Sequence, residues 1–362
     1  MKFAVNRADI DPARDKIGEA IIKEFEEQGH VVAPIEDRVK FVLNLVNMSD
    51  LEAFKRKSQA EFVVSLVALD RNVEDLRSTC YTALVKTLSN LFLCLVPSGG
   101  GEVPEIYLIT PEVGFYHYPF DARKVYENML PIVGSRLVIR NTINTELPSP
   151  YWKTTPAVEE LKHYGRVMKN LGVLPAPFPL HDVLNKEDIA HLYELFEIKG
   201  LSYGNLSVRE KIPELGTSTF WMTARGVDKA DLKGIGHDIL LVNGYDEGTR
   251  HILVSVPPEH DPRARVSVDA IEHTLIYQTF PEVGAIVHVH AWMDGVLCTH
   301  QNYPCGTQEL AEEVIALLKR TDTPACTTVG LKNHGLTITG PTFDDIFTRI
   351  EGKLQTEVPM FE

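Results

Sequence analysis

The sequence predicts an α/β protein built as two domains. Strand-like and helix-like patterns alternate along residues 1–148, and a proline-rich stretch over 147–185 interrupts that alternation. The chain has 362 residues, 44% hydrophobic and 24% charged, which is enough apolar material for two cores and too little charge for a disordered chain.

Taken in order, "KFAV" reads as a short strand. "PARDKIGEAIIKEFEEQGHVV" follows as an amphipathic helix with Pro12 near its first turn, where a missing N–H is tolerated. "VKFVLNLV" and "EFVVSLVAL" are apolar strands, and "DLRSTCYTALVKTLSNLF" reads as a helix. "LFLCLV" and "EIYLITPEVGFYHY" flank the turn "PSGGGEVP" as a hairpin. Strands alternating with helices favour a parallel sheet, so residues 1–148 are expected to form a three-layer, Rossmann-like unit. The dinucleotide fingerprint is missing: no Gly-x-Gly-x-x-Gly joins the first strand to its helix, and "SGGG" at 98–101 falls between two strands. It reads as a flexible turn. An oligomerisation module, a lid for the second domain and a separate ligand-binding unit all remain open as roles, because fold alone does not assign one.

The segment 149–185 is read as a linker in which "AVEELKHYGRVMKNLG" forms a helix between prolines. The second domain, 186–362, opens with a helix "KEDIAHLYELFEIKG" stopped by Gly200, continues with strands to Pro257, and carries a helix beginning near Ser267.

The formal net charge is −14, with no dense Lys/Arg run, which argues against nucleic acid or an anionic membrane surface as partner. Residues 1–148 hold 17 basic and 21 acidic side chains, so most of the acidity lies in the rest of the chain. Five cysteines without a Cys-x-x-Cys suggest neither a disulfide framework nor a thiolate zinc knot and suit a reducing compartment. The N-terminus lacks a signal-like apolar core and "LSNLFLCLVP" is too short to span a bilayer. A soluble cytoplasmic protein is expected.

The chemistry concentrates at His288-Val289-His290. In an extended strand, residues i and i+2 project from one face, so "AIVHVH" aims both imidazoles at one spot. His334, in "LKNHGLTITG", offers a third. Three neutral imidazoles suit Zn2+ or a similar divalent ion such as Mn2+ or Co2+, and three protein ligands leave a coordination position open, a catalytic pattern. Alone, a His-x-His is more simply a pair of satisfied polar groups at a strand end.

Further motifs occur in order around it: "GLSYGNLSVR" (200–209), "TARGVD" (223–228), "SVDAIEHTLIY" (267–277), "GAIVHVHAW" (284–292), "GTQELAEEV" (306–314) and "NHGLTITG" (333–340). With these, residues 186–352 resemble the class II aldolase/adducin family. The resemblance implies a class II aldolase-like α/β domain with a central antiparallel sheet, assembled as a homo-oligomer, commonly a tetramer. It implies that His288, His290 and His334 are the zinc ligands, and that the metal holds two oxygens of a ketose or of the enediolate left after cleavage.

The family's catalytic glutamate, in an "SSE" motif, is here Asp269 of Ser267-Val268-Asp269, shorter by one methylene. A first-turn acid that favours the helix dipole is its plain alternative. Glu272, one turn on, is a reserve base, or simply an exposed helix glutamate. His273 matches a family histidine whose expected job is support of the fold or of the ligands.

By the same resemblance, Gly204, Asn205, Thr223, Gly226 and Ser267 form the anion turn. Ala224-Arg225 replaces a Pro-Ser pair, and Val268 replaces a serine. Arg225 can compensate by a charge-assisted contact to phosphate or carboxylate, or can be a solvated turn residue. Arg263 and Arg265 add local positive charge. The segment after the metal strand is short, and His300, Tyr303 or Cys305 would have to replace a proton donor contributed there. The sequence therefore points to a metal-dependent aldolase-type lyase acting on a small anionic, phosphorylated or carboxylated hydroxycarbonyl or sugar substrate. Family epimerases, decarboxylases and dehydratases, and a non-catalytic adducin-like scaffold, are the alternatives.

Overall fold

The structure, a computed structural model, describes the chain apart from residues 53, 55–59, 70–72, 99–102, 113, 175–185, 187–189 and 191–202. Most of the helix expected over 186–200, most of "LPAPFPL" and most of "SGGG" lie outside the described residues. Two compact units emerge. Of the described residues, one contains Met1–Ser135, Lys186, Ala190 and the last residues Met360–Glu362; the other contains residues 136–174 and 203–359.

The first unit is built on β1 (Lys2–Arg7), α1 (Pro12–Glu27), β2 (Val31–Val32), β3 (Phe41–Leu45), β4 (Phe62–Ala68), α2 (Leu76–Thr87), β5 (Leu91–Val96), β6 (Glu105–Ile109), β7 (Phe115–Pro119) and α3 (Ala122–Gly134). Its sheet runs β2-β1-β3-β4-β5-β6-β7, parallel from β2 to β5 and antiparallel across β6 and β7. Asp11 starts α1 by accepting from the backbone N–H groups of Ala13 and Arg14. Phe25 of α1 lies on Phe3 and Phe41, while Cys80 of α2 meets Cys94, whose side chain points to the opposite face of the sheet. Helices therefore cover both faces, giving the three layers expected. The second arm of the predicted hairpin divides into β6 and β7, and β2 and α3 are additions to the predicted elements.

The second unit comprises β8 (Arg140–Asn144), α4 (Pro156–Asn170), β9 (Asn205–Arg209), β10 (Phe220–Thr223), β11 (Ile239–Asp246), β12 (His251–Ser255), α5 (Ala270–Thr279), β13 (Ala285–Val289), β14 (Leu297–Cys298), α6 (Gln308–Leu318), β15 (Thr328–Leu331), β16 (Gly335–Gly340) and α7 (Phe343–Ile350). The sheet order is β14-β15-β16-β13-β9-β10-β11-β12-β8, antiparallel from β15 to β12, with parallel pairs only at its edges, β14 on β15 and β8 on β12.

The boundary expected after residue 148 thus needs correction. β8 precedes that point, yet it completes the second sheet, pairing with β12 over all five of its residues. The predicted linker helix is α4, which buries Val158, Leu161 and Met168 in the second core and is an integral part of that unit.

Two devices place α5 over the sheet. Arg209 of β9 donates to the carbonyls of Tyr277, Phe280 and Val283, tying a cation to the carbonyl-rich end of α5. α6 packs along the same helix. Its N-terminal end, beginning after Asp269, is thereby fixed over β9 and β13.

Candidate metal centre

β13 delivers His288, and His290 follows just past its end, two residues on and on the same face. His334 arrives from the turn between β15 and β16. Asn333 adopts φ 56° there, a left-handed conformation that asparagine tolerates. Gly335 brings the chain so close to β13 that a Cβ would lie 2.2 Å from the Val289 carbonyl oxygen. Antiparallel pairing of β13 with β16 then sets the three imidazoles face to edge, with centroids 5.1 Å (288–290), 4.8 Å (288–334) and 4.9 Å (290–334) apart. One ring nitrogen from each lies within 4.8 Å of the others.

The electrostatics suit a cation ligand set. His288 Nδ1 lies 3.0 Å from the Leu336 carbonyl oxygen; a carbonyl only accepts, so Nδ1 carries the proton and Nε2 presents its lone pair. Among the described residues, His288 Nε2 and both ring nitrogens of His334 have no hydrogen-bond partner. Burial holds His334 well below the ordinary histidine range, helped by His288 and His290, and burial also lowers His288 against the pull of Asp269. Buried His288 and His334, lowered below the ordinary histidine range, with half-buried His290 beside them and one ring nitrogen of each within 4.8 Å of the others, fit a divalent ion.

Around them, the sequence-derived residues fall as follows. Asp269 immediately precedes α5 but its side chain makes no capping bond. Its Oδ2 instead accepts from Asn205 Nδ2 at 2.6 Å, and its Oδ1 has no hydrogen-bond partner among the described residues. A capping hydrogen bond is therefore absent, while the Asp269 charge still sits at the N-terminus of α5, where the helix dipole favours it.

Thr223, Arg225 and Gly226 form a turn after β10. The turn is held against the strand entering α5: Ser267 N–H donates to the Thr223 carbonyl, and Arg225 N–H donates to the Arg265 carbonyl. Gly226 has φ 68°. Arg225 is half-buried and donates from Nη2 to the Ile139 carbonyl at 2.8 Å, so it is no solvated turn residue. Arg263, by contrast, is an exposed side chain paired with Asp261, and Arg265 turns back on the Pro262 and Ala264 carbonyls. His300 is exposed, while Tyr303 and Cys305 are half-buried.

His273 is buried and shares Ser207 Oγ with the Tyr277 hydroxyl; burial drives it down to about 3. Glu272, read from the sequence as a reserve base or an exposed helix glutamate, is 3% exposed. Thr337 Oγ1 donates to it at 2.6 Å. Burial and then Asp269 push its carboxyl up to about 8.

Two residues were missed. Lys229 is fully buried and lowered to about 7 by burial, opposed by Asp228 and Asp269. Tyr203 sets its ring edge against His290, with centroids 4.6 Å apart. Nothing in residue type or spacing marks either. Gly204, next to Tyr203, has φ 71° and no room for a Cβ, which would lie 2.7 Å from the His288 carbonyl oxygen.

Residues 187–300, which hold the anion turn, Asp269 and two of the three histidines, match the class II aldolase and adducin N-terminal domain. The similarity to that family is confined to this segment of the chain. Comparison with curated proteins gives no match. Among solved structures, YgbL from Klebsiella pneumoniae aligns at 17% identity and a TM-score of 0.33, over 53% of this chain and 82% of its own. YgbL from Escherichia coli aligns at 16% identity over the same shares, also with a TM-score of 0.33. An aldolase II superfamily protein from Pseudomonas syringae aligns at 16% identity over 41% of this chain and 61% of its own, with a TM-score of 0.30. Superpositions at such scores support no inference about this chain. The class II aldolase match stops at residue 300, before His334, which the β13–β16 pairing adds.

Proposed function

We propose that the second unit is a metal-dependent aldolase-type lyase for small anionic hydroxycarbonyl compounds. The supporting observation is the convergence of three imidazoles beside a buried carboxylate, Asp269, whose Oδ1 has no hydrogen-bond partner among the described residues. A zinc or similar divalent ion held by His288, His290 and His334 would supply a Lewis acid for two adjacent substrate oxygens.

The protein's own groups do the rest. Asn205 fixes Asp269 through Oδ2, so that Oδ1 is positioned to receive the proton of a substrate hydroxyl. The Thr223 and Ser267 hydroxyls would serve as donors to the anionic end of the substrate, on a turn held in shape by its own backbone hydrogen bonds, and Arg225 contributes a fixed positive charge. The site residues are largely buried, which strengthens each of these interactions relative to water.

The test is the metal content of protein purified without a His-tag or added metal. Wild type should carry about one ion per chain, as a three-histidine site implies, and His290→Ala and His334→Ala should lose it. Loaded wild type should then cleave a member of a panel of phosphorylated ketoses and hydroxy-keto acids. A protein that contains no metal and takes up no zinc, manganese or cobalt would sink the proposal.

A further inference from the structure

The sheet registers place Asn205, His288 and Thr337 opposite one another on three adjacent antiparallel strands, so their side chains stand in a row on one face. α5 and the residue before it lie over that row with three buried polar groups. Asp269 is bonded to Asn205, Glu272 to Thr337, and His273 to Ser207 of the neighbouring row. His288 therefore has one carboxyl bonded to the residue on one side of it and a second carboxyl bonded to the residue on the other.

The second carboxyl has no evident structural reason to be there. An apolar side chain would fill the space between helix and sheet without desolvating an acid, and one hydroxyl hydrogen bond does not offset that cost. Thr337 is a hydroxyl donor and Asp269 a like charge. Buried Lys229 feels Asp228 and then Asp269.

We propose that Glu272 is a second catalytic carboxyl of this centre, the acid that delivers a proton to carbon while Asp269 receives the proton of the substrate hydroxyl. This rests on the aldolase-type reading above. In cleavage, the hydroxyl proton of the departing fragment passes to Asp269 Oδ1, and the O–H electron pair becomes the new carbonyl π bond. The carbon–carbon bond breaks and leaves its electrons on the other fragment as an enediolate. The enediolate carbon then takes the proton of Glu272, giving a neutral hydroxycarbonyl product. Asp269 ends with one proton more and Glu272 with one fewer. Transfer between the two carboxyl groups, directly or through water, resets the pair, and no other reactant is consumed. Glu272, held protonated near neutrality by its burial, suits the donor role, and Asp269 suits the acceptor role.

The last step run backwards can be read without knowing the second fragment. Zinc-loaded protein in deuterium oxide is given dihydroxyacetone phosphate or hydroxypyruvate, a phosphorylated and a carboxylated hydroxyketone, and proton–deuteron exchange at the hydroxymethyl carbon is followed by NMR. Wild type should exchange one of the two. Glu272→Gln and the apolar, size-matched Glu272→Met should slow exchange by at least about 100-fold, the usual contribution of a positioned acid–base group. Glu272→Asp should recover part of the rate. Zinc affinity, measured by competition with a chelator, should stay near wild type in Glu272→Gln, and its thermal midpoint should not fall below wild type.

Exchange at the wild-type rate in a zinc-replete Glu272→Gln would overturn the role of Glu272 and leave the aldolase-type reading standing. So would loss of zinc and of thermal stability in both the Gln and Met variants, which marks a purely structural clip between α5 and β16. Absence of exchange in wild type with both probes would overturn the aldolase-type reading and this assignment with it.

Discussion

A carboxyl buried between a helix and a sheet couples its own ionisation to folding. The carboxyl of Glu272 is raised from an ordinary 4.5 to about 8 in the folded chain, so the folded state holds its proton more tightly than the unfolded one. Its contribution is most favourable below the unfolded value and is lost as pH rises towards about 8. Metal-free Glu272→Gln should therefore match wild type most closely near pH 4.5 and gain on it up to pH 8, by at most about 1.4 kcal/mol per pH unit. Urea denaturation of both proteins across that range checks this; a difference constant with pH would disprove it. The imidazoles were legible at this scale because a strand's two-residue period makes His-x-His a geometric statement. The burial of Glu272 and Lys229 was not, because charged residues are ordinarily exposed and nothing in the sequence around either signals otherwise.

Among the elements, α4 shows how tightly the surroundings of the centre are packed. A Cβ on Gly165 would lie 2.0 Å from the carbonyl oxygen of Lys229, a backbone atom that cannot swing away. Gly165→Ala should destabilise the protein by about 1–3 kcal/mol, the usual cost of overpacking, and displace the segment carrying Lys229. A fall in the calorimetric midpoint, with weakened zinc affinity, is the expected result; an unchanged midpoint would refute the steric account.

The elements that were readable from sequence, such as β1, α1, β3, β4 and α2, combine an apolar pattern with a recognisable start or length. Those that were not each lack one of these. β2 has two residues, β8 reads Arg-Asn-Thr-Ile-Asn with little apolar alternation, and α3 contains Pro131, a residue that argues against a helix at its interior. The antiparallel sheet of the second unit was legible only through the resemblance, since strand pairing is set by contacts distant in sequence.

For the whole molecule, the misplaced boundary has a concrete consequence. A chain beginning at Arg136 keeps β8 beside β12 and should melt cooperatively, whereas one beginning at Ser149 leaves the edge of β12 unpaired and should melt lower or aggregate. Differential scanning fluorimetry with light scattering on the two fragments separates these outcomes; equal behaviour would restore the later boundary. No helix of the described residues is long and apolar enough to cross a membrane.

The hairpin that carries His334 also orders events during synthesis. His288 and His290 emerge from the ribosome together, but the third imidazole is put in place only when the chain has passed His334 and β16 has turned back along β13. An ion gripped by all three ligands can therefore be acquired only late. In this architecture capture of an ion by the three imidazoles would report that the second sheet has closed, where ligands clustered in one short segment would let the ion seed the fold of a nascent chain.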